Sequence, residues 1–412
     1  VTDTHYWLPS AARSEFVART NAASERDGLL VHRSPQVLAQ LFAELSGFAA
    51  RGGTAGVHLG DSVCGGGGFS APASEYRSSL AAVRALEDRG LPNGWPFYHI
   101  PGNHDVAPAP IRGHAAPGLE AWRSTFAPVV SSAQHTASGR VDAATHGALP
   151  PGHVTQQPVY RTLPLPGNGT AAAAAAAAAW RVLLLDSMDG VTTDEDGHGS
   201  IGAEQLAWLD TQLQAAYAAG VNVVLLSHQL LVDPTAPDDD ERRRERKRRL
   251  SDGGRGGDLS WLGPGEPSGS SGPSWIGEGD MVRNRAEVLR VVARYPRTVR
   301  LALAGHVHAN TLVRWYGIPF VSLASTSEWP MQWHELLLGP CTLRLLQHDL
   351  RLPPATRLES MRRDSRPNRN RIKLGLARRP HGATPDVMMA STVETEADAL
   401  APTATTLEAS LC

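Results

Sequence analysis

The order of the apolar segments predicts an α/β domain. Short runs of Val, Leu and Ile with little polar alternation recur along the 412-residue chain, and such runs are typical of strands that are covered on both faces. Segments with apolar residues at helical spacing separate most of these runs. The last three runs, which begin at Thr311, Pro319 and Thr342, follow one another without helices between them. We therefore expect alternating strands and helices that finish in antiparallel strands.

Two helices and two strands are predicted in the first hundred residues. Ser34 and Pro35 are the N-cap and the first-turn proline that commonly begin a helix, and apolar residues continue at helical spacing to Phe48. A second helix is predicted over 73–89, because Gly90 ends the periodicity there. The predicted strands are the short apolar runs at 56–59 and 97–100.

The pattern resumes at Trp180, after a long stretch with weak periodicity. An amphipathic helix is predicted over 204–219, where Gly220 ends it, and another over 284–295, before Pro296. The predicted strands of this part cover 180–185, 221–226, 299–304, 311–316, 319–324 and 342–350.

Length alone favours two or three domains, at roughly 150 residues each, but the distribution of residues favours one. Three stretches are rich in Gly, Pro, Ser or Ala and lack the apolar content that would offset the entropy of ordering. We therefore expect one domain over 1–352 with mobile insertions at about 107–179 and 234–279, followed by a disordered tail over 353–412.

Charge and cysteine content narrow the classes of partner. The 39 basic and 41 acidic side chains give a net charge of −2, so we expect no chain-wide surface for nucleic acid. The basic run 242–249 is interpreted as a solvated loop. No stretch approaches the ~20 apolar residues of a membrane helix, so no membrane association is predicted. The three widely spaced cysteines predict neither a disulfide framework nor a CxxC zinc site, and no compartment is assigned.

Polar groups suited to metal binding follow four of the predicted strands. The carboxyl ends of strands in an open α/β sheet are where ligands bind, so we expect these groups to meet. Imidazole, carboxylate and amide oxygen together suit Mn, Fe or Zn. Seven such ligands are too many for one tetrahedral ion, and they suit two ions about 3.5–4 Å apart that share a carboxylate. The groups are Gly60-Asp61, Gly102-Asn103-His104-Asp105, Ser227-His228 and Gly305-His306-Val307-His308, with Asp3-Thr4-His5 at the start of the chain.

This order of motifs, Asp-x-His, Gly-Asp, Gly-Asn-His-Asp, His and Gly-His-x-His, resembles that of the calcineurin-like metallophosphoesterase superfamily, and it spans residues 3–308. The resemblance implies a four-layer αββα sandwich and a dimetal centre that hydrolyses phosphoester bonds. It also implies roles for single residues. Asp3, His5 and His308 would hold the first metal, Asn103, His228 and His306 the second, and Asp61 both; His104 would be the general acid, with Asp105 tuning or orienting it.

The chain departs from the superfamily pattern in two places. After Asp61, the sequence Ser62-Val63-Cys64 and four glycines lack the acidic residue and the arginine of the protein phosphatases, which favours the bacterial-type branch that contains cyclic-nucleotide phosphodiesterases. Cys64 is interpreted as a small buried residue rather than a redox-sensitive thiol. Only two residues precede Asp3, so we expect the true beginning to be missing. If the chain instead starts at Val1, we expect Asp3 and His5 to lie on a frayed terminus and the first metal to bind weakly.

The function predicted on this basis is dimetal-dependent hydrolysis of a small phosphomonoester or phosphodiester. One alternative is a metal-binding scaffold that keeps the fold without turnover, and another is a nucleic-acid role for the segment 242–249. The residues from Trp329 to His334 are interpreted either as a wall of the substrate site or as core packing. The sequence does not identify the substrate.

Overall fold

The computed structural model describes residues 1–7, 31–64, 73–106, 117–126, 159–165, 171–189, 199–234, 278–356 and 406–410. Helices and strands alternate through most of this part of the chain. The helices are α1 (Ser34–Ala50), α2 (Ala73–Gly90), α3 (Pro117–Phe126), α4 (Ala171–Ala179), α5 (Ala203–Ala219) and α6 (Arg285–Ala293). The strands are β1 (Gly56–His58), β2 (Phe97–His99), β3 (Arg161–Leu163), β4 (Trp180–Leu184), β5 (Asn222–Leu226), β6 (Val299–Ala304), β7 (Thr311–Trp315), β8 (Ile318–Ser322), β9 (Gln332–Leu338), β10 (Thr342–Asp349) and β11 (Thr406–Ser410).

The largest sheet has six strands in the order β3-β4-β5-β6-β8-β7. Its four central strands are parallel to one another, whereas β3 and β7 pair antiparallel at the two edges. Helices α5 and α6 follow β4 and β5 in the chain, as crossover connections between parallel strands require. The predicted α/β class and the antiparallel pair formed by β7 and β8 are therefore confirmed.

Both faces of this sheet are buried because successive residues of a strand point to opposite sides. Leu183 and Leu225 belong to one core cluster, together with Leu209 of α5 and Val292 of α6. Val224, which directly precedes Leu225 in β5, points to the other face and belongs to a second core cluster. That second cluster is built from α1, α2 and two smaller sheets. Unbroken apolar runs were the correct signal for strands covered on both sides.

The two smaller sheets complete the second core cluster. β1 and β2 form a parallel pair, and β9, β10 and β11 form an antiparallel sheet in the order β11-β10-β9.

Strand β9 is missing from the sequence prediction because Gln, His and Glu interrupt its apolar residues. Trp333 of β9 is 3% exposed, and its indole Nε1 donates a 2.9 Å hydrogen bond to Glu44. Trp333 therefore packs in the core, as the second of the two interpretations held.

The expected insertions and tail contain ordered elements. α3, β3 and α4 fall within the range 107–179, and Trp122 of α3 is fully buried. β11 pairs with β10, with Leu345 opposite Leu407. The expectation of a disordered tail is therefore wrong for 406–410, because an alternating strand can complete the open edge of a sheet without a core of its own. Residues 235–277 and 357–405 lie outside the described residues.

Cys64 is buried as expected, whereas a disulfide at Cys341 was not expected. Cys64 is a buried thiol, whereas Cys341, directly before β10, is disulfide-bonded. Cys412 is the remaining cysteine of the chain and lies outside the described residues. Within the described part of the chain, no helix has the length and apolar character needed to cross a membrane.

A buried carboxyl group makes the stability of this fold depend on pH. Asp186, two residues after β4, is fully buried, and burial raises the pKa of its carboxyl to about 7, although the N–H of Met188 donates to it. The folded state therefore retains a proton that the unfolded chain has lost between about pH 4 and 7, so stability falls as pH rises through this window.

We expect Asp186→Asn to remove this contribution while keeping an acceptor for Met188. The free energy of unfolding of the variant should exceed that of the parent by about 1–3 kcal/mol at pH 8 and should not exceed it at pH 4. Urea unfolding of both proteins at the two values measures this difference. The matched control is Asp88→Asn, which changes an exposed carboxyl on α2. If Asp186→Asn changes the free energy of unfolding equally at both pH values, the assignment is contradicted.

Candidate metal centre

The first seven residues lie between two other segments of the site. The N–H groups of Asp3 and His5 donate to the carbonyl oxygens of Gly60 and Asp61 at 3.0 and 2.9 Å. On the other side, the hydroxyls of Ser325 and Ser327 donate to the carbonyl of Asp3 at 2.8 and 2.9 Å. Asp3 and His5 are completely buried. The expectation of a frayed segment is therefore wrong, because neighbouring backbone takes the place of a long first strand.

The backbone at the site is held in an unusual conformation. Non-glycine residues with positive φ are uncommon, and each costs of order 1–3 kcal/mol. Such strain persists where the surrounding contacts fix it, and it gathers at functional sites. Five of the eight such residues in the described part of the chain are predicted metal ligands: Asp3, His5, Asp61, His306 and His308.

Two glycines allow the segments to approach closely. A Cβ on Gly60 would lie 2.6 Å from Nδ1 of His228, and Gly60 itself has φ +98°. A Cβ on Gly102 would lie 2.2 Å from Oδ1 of Asp61. Any larger residue at either position would push these segments apart. The absence of a side chain at Gly60 and Gly102 therefore allows the ligand-bearing segments to approach closely.

Asp3, His5, Asp61 and His308 form the first cluster, with ligand atoms within 4.8 Å of one another. Nε2 of His5 lies 3.0 Å from Nε2 of His308 and 3.7 Å from Oδ2 of Asp61. Nε2 of His308 lies 3.3 Å from Oδ1 of Asp3. Two imidazoles and two carboxylates therefore point at one position.

Asp61, His228 and His306 form the second cluster. Nε2 of His228 lies 3.3 Å from Oδ2 of Asp61 and 3.2 Å from Nδ1 of His306. The side-chain oxygen of Asn103 lies 3.1 Å from the same Nε2 atom. The structure thus brings all seven predicted ligands together in two groups, with Asp61 common to both.

The donor set fits two divalent cations. Oδ2 of Asp61 is buried and lies between the clusters, 3.7 Å from Nε2 of His5 and 3.3 Å from Nε2 of His228, with no well-formed hydrogen bond to either. A buried carboxylate oxygen without a partner is costly, and a cation on each side would stabilise it. Nitrogen and oxygen ligands of this kind suit first-row divalent metals.

A second layer of contacts orients the histidines. Nδ1 of His228 donates to the carbonyl of Leu59 at 2.8 Å, so Nε2 is the ring nitrogen that faces the cluster and would bind a cation once its proton is displaced. Nδ1 of His308 is hydrogen-bonded to Glu328, and Nε2 of His306 lies 3.3 Å from Asp280. Contacts of this kind fix which ring nitrogen faces a metal. The sequence reading missed Glu328 and Asp280, which belong to no motif and come close only in the fold.

His104 and Asp105 lie beside the two clusters. The backbone N–H of His104 donates to Oδ1 of Asp61 at 2.8 Å, and its half-buried ring packs edge-on to His5, with centroids 4.8 Å apart. The carboxylate of Asp105 instead accepts from the N–H groups of Gly102, Ser62 and Val63 at 3.0–3.1 Å. Asp105 therefore joins the two ligand-bearing loops and positions His104 through the backbone.

Burial and neighbouring charges act in opposite directions on these groups. Burial lowers the pKa of His228 and His308, but the carboxylates of Asp61 and Asp3 respectively outweigh it and raise both values to about 9. Burial, reinforced by His104, lowers the pKa of His5 to about 3. Burial and the nearby Asp61 raise the pKa of Asp105 to about 7. The charges of the cluster are thus strongly interdependent.

No protein-family model and no curated protein sequence matches the chain. Among solved structures, a dimetal phosphatase from Danio rerio is similar with a TM-score of 0.47 and 14% identity, covering 84% of this chain and 93% of that chain. The phosphopantetheinyl hydrolase PptH from Mycobacterium tuberculosis has a TM-score of 0.25 and 14% identity, covering 66% and 80%. Similarities this distant carry no argument about chemistry, which depends on the geometry of the site.

Glu328 supplies a test of the second layer. Because its carboxylate is fully buried and accepts from Nδ1 of His308, we expect Glu328→Ala to weaken cation binding about 10–100-fold. Glu328→Gln keeps an acceptor oxygen and should lose much less. Titration calorimetry with Mn²⁺ measures both affinities, and circular dichroism verifies folding. Equal losses in the two variants would show that charge, and not ring orientation, is the contribution of Glu328.

Proposed function

We propose that the chain is a dimetal-dependent phosphoesterase that hydrolyses a small phosphomonoester or phosphodiester. The observation that carries this proposal is the position of Asp61, whose buried carboxylate is common to two clusters of imidazole and carboxylate side chains. The motif order supports assignment to the calcineurin-like metallophosphoesterases and to a four-layer αββα arrangement, and the sequence after Asp61, which lacks the acidic residue and the arginine of the protein phosphatases, favours the bacterial-type branch. Helices on one side of the six-stranded sheet and smaller sheets with further helices on the other are compatible with it.

Each proposed ligand has a defined place. Asp3, His5 and His308 would hold one divalent ion, and Asn103, His228 and His306 the other, with Asp61 between them. Mn, Fe and Zn all accept this donor set. When bound, the two ions would neutralise phosphoryl charge and activate water as the nucleophile.

His104 is the residue proposed to move a proton. Its backbone N–H holds Asp61, while its ring extends beside His5 and is half-exposed. A positioned imidazole can protonate the leaving alkoxide oxygen, and burial lowers the pKa of His104 below its ordinary value, so that its protonated form is a stronger acid. The loop that carries it is fixed by the three backbone hydrogen bonds to Asp105.

The exposure of the ligands indicates where a substrate enters. Asn103, His104 and His306 are half-buried, whereas Asp3, His5, Asp61 and His228 are buried. We therefore propose that a phosphoester approaches from the side of His104 and His306. The buried side holds the groups that must be shielded from water.

The scaffold alternative loses its main support in the geometry. It depended on a frayed segment with Asp3 and His5, and both residues are buried and hydrogen-bonded on two sides. The segment 242–249, on which the nucleic-acid alternative depends, lies outside the described residues.

The function is tested with purified protein and added Mn²⁺. We expect two ions per chain by mass spectrometry, and hydrolysis of p-nitrophenyl phosphate or its bis ester. His104→Ala should keep both ions and lower kcat about 10²–10⁴-fold, because only proton transfer is lost. His348→Ala, an imidazole of β10 stacked on Trp333, is the matched control and should leave kcat unchanged. A parent with two ions that hydrolyses neither ester refutes the proposal.

The shared carboxylate gives a separate test of the dimetal arrangement. Asp61→Ala should reduce the stoichiometry of both ions, whereas Asn103→Ala should weaken only one, because Asn103 lies against His228 alone. Metal content after dialysis against a fixed Mn²⁺ concentration distinguishes the variants. Loss of a single ion in Asp61→Ala would show that the carboxylate does not bridge.

A further inference from the structure

Cys64 lies beside the metal centre but has no role in it. Its Sγ atom and one ring nitrogen of each of His5 and His104 lie within 4.8 Å of one another. Cys64 is 1% exposed and forms no disulfide. Its N–H donates to the carbonyl of Tyr6 at 3.1 Å, directly after His5. The backbone therefore holds the thiol against the segment that carries His5.

Unpartnered imidazole nitrogens accompany this thiol. Nε2 of His5 is directed at His308 and Asp61, at 3.0 and 3.7 Å, so its Nδ1 is not part of that cluster. Nδ1 of His5 is buried without a hydrogen-bond partner, and so is Nδ1 of His104. A buried polar atom without a partner costs about 1–3 kcal/mol. The two histidines that lie beside this sulfur therefore each have an unpartnered ring nitrogen, which is a suitable donor for a metal ion.

We propose that Cys64, His5 and His104 form an additional site for thiophilic cations such as Zn²⁺ or Cd²⁺, and that its occupation inhibits the enzyme. One sulfur and two imidazole nitrogens favour soft or borderline ions, whereas the oxygen-containing clusters around Asp61 also accept hard ones. Tetrahedral zinc places such ligand atoms about 3.5 Å apart. The three side chains must therefore close by roughly 1 Å, and the half-exposed ring of His104 gives access from solvent.

Binding at this site exchanges protons for a metal ion. The S–H bond of Cys64 breaks, its proton passes to solvent, and a sulfur–metal bond forms without oxidation or reduction. Where Nε2 of His5 already holds an ion, the N–H proton of its Nδ1 also passes to solvent, so that the ring binds one cation through each nitrogen. The ring nitrogen of His104 that binds the ion can then no longer carry a proton. Excess Zn²⁺ or Cd²⁺ is expected to inhibit while Mn²⁺ is not, since Mn²⁺ binds thiolate poorly. The inhibition rests on the proposed function, whereas the cation binding does not.

The binding is tested by titrating Co²⁺ and Cd²⁺ into the parent chain, Cys64→Ser and Cys64→Ala. A thiolate-to-metal charge-transfer absorption is expected in the parent and in neither variant. The parent should also bind one more equivalent of Cd²⁺ than each variant. Circular dichroism and Mn²⁺-dependent activity show that the variants fold, since Cys64 belongs to no part of the catalytic machinery. A folded parent without the absorption, or a variant that retains it, overturns the proposal.

The inhibition is tested with the Mn²⁺-loaded proteins. We expect added Zn²⁺ to inhibit the parent at a concentration at least about tenfold lower than it inhibits Cys64→Ser, which corresponds to one lost metal ligand. Equal inhibition of the two proteins overturns the inhibitory role. An absorption in a parent without esterase activity would refute the proposed function and leave the cation site standing. Activity without the absorption would support the proposed function and refute the cation site.

Discussion

The buried carboxylate of Asp61 is the constraint on which the rest of the site depends. Taking a charge out of water is costly unless hydrogen bonds and opposite charges compensate. The backbone N–H of His104 compensates one oxygen, and His228 and His5 approach the other at 3.3 and 3.7 Å. Because these partners come from three separate segments of the chain, stabilising this one charge draws the whole site together.

The sheet supplies the rigidity that such a site needs. Strands β5 and β6 are buried on both faces, and the ligand-bearing turns follow them immediately at Ser227-His228 and Gly305-His306. The N–H of Gly305 donates to the carbonyl of His228 at 2.9 Å, which ties these two turns together. Residues placed at the ends of packed strands keep their positions with little further ordering cost, and catalysis by positioned groups requires this.

Much of the fold follows from local pattern, and its failures have identifiable causes. The strands predicted at 180–185 and 299–304 match β4 and β6 within one residue at each end, and the helix predicted from Ser34 to Phe48 matches α1 within two, because their apolar periodicity is unambiguous. β9 is hidden by Gln332 and His334. β11 has no core of its own and is defined by its pairing with β10. Such elements depend on distant partners, which local periodicity does not record.

The sequence by itself determined the α/β class and the ligand types, because hydrophobic period and glycine-flanked Asp, Asn and His residues are local properties. Only the tertiary structure decided that Asp61 is common to two clusters and that Glu328 and Asp280 orient two of the histidines. It also brought Cys64 to His5 and His104. These contacts join residues far apart in the chain, so their distances arise from the packing of segments and from no spacing within any one of them.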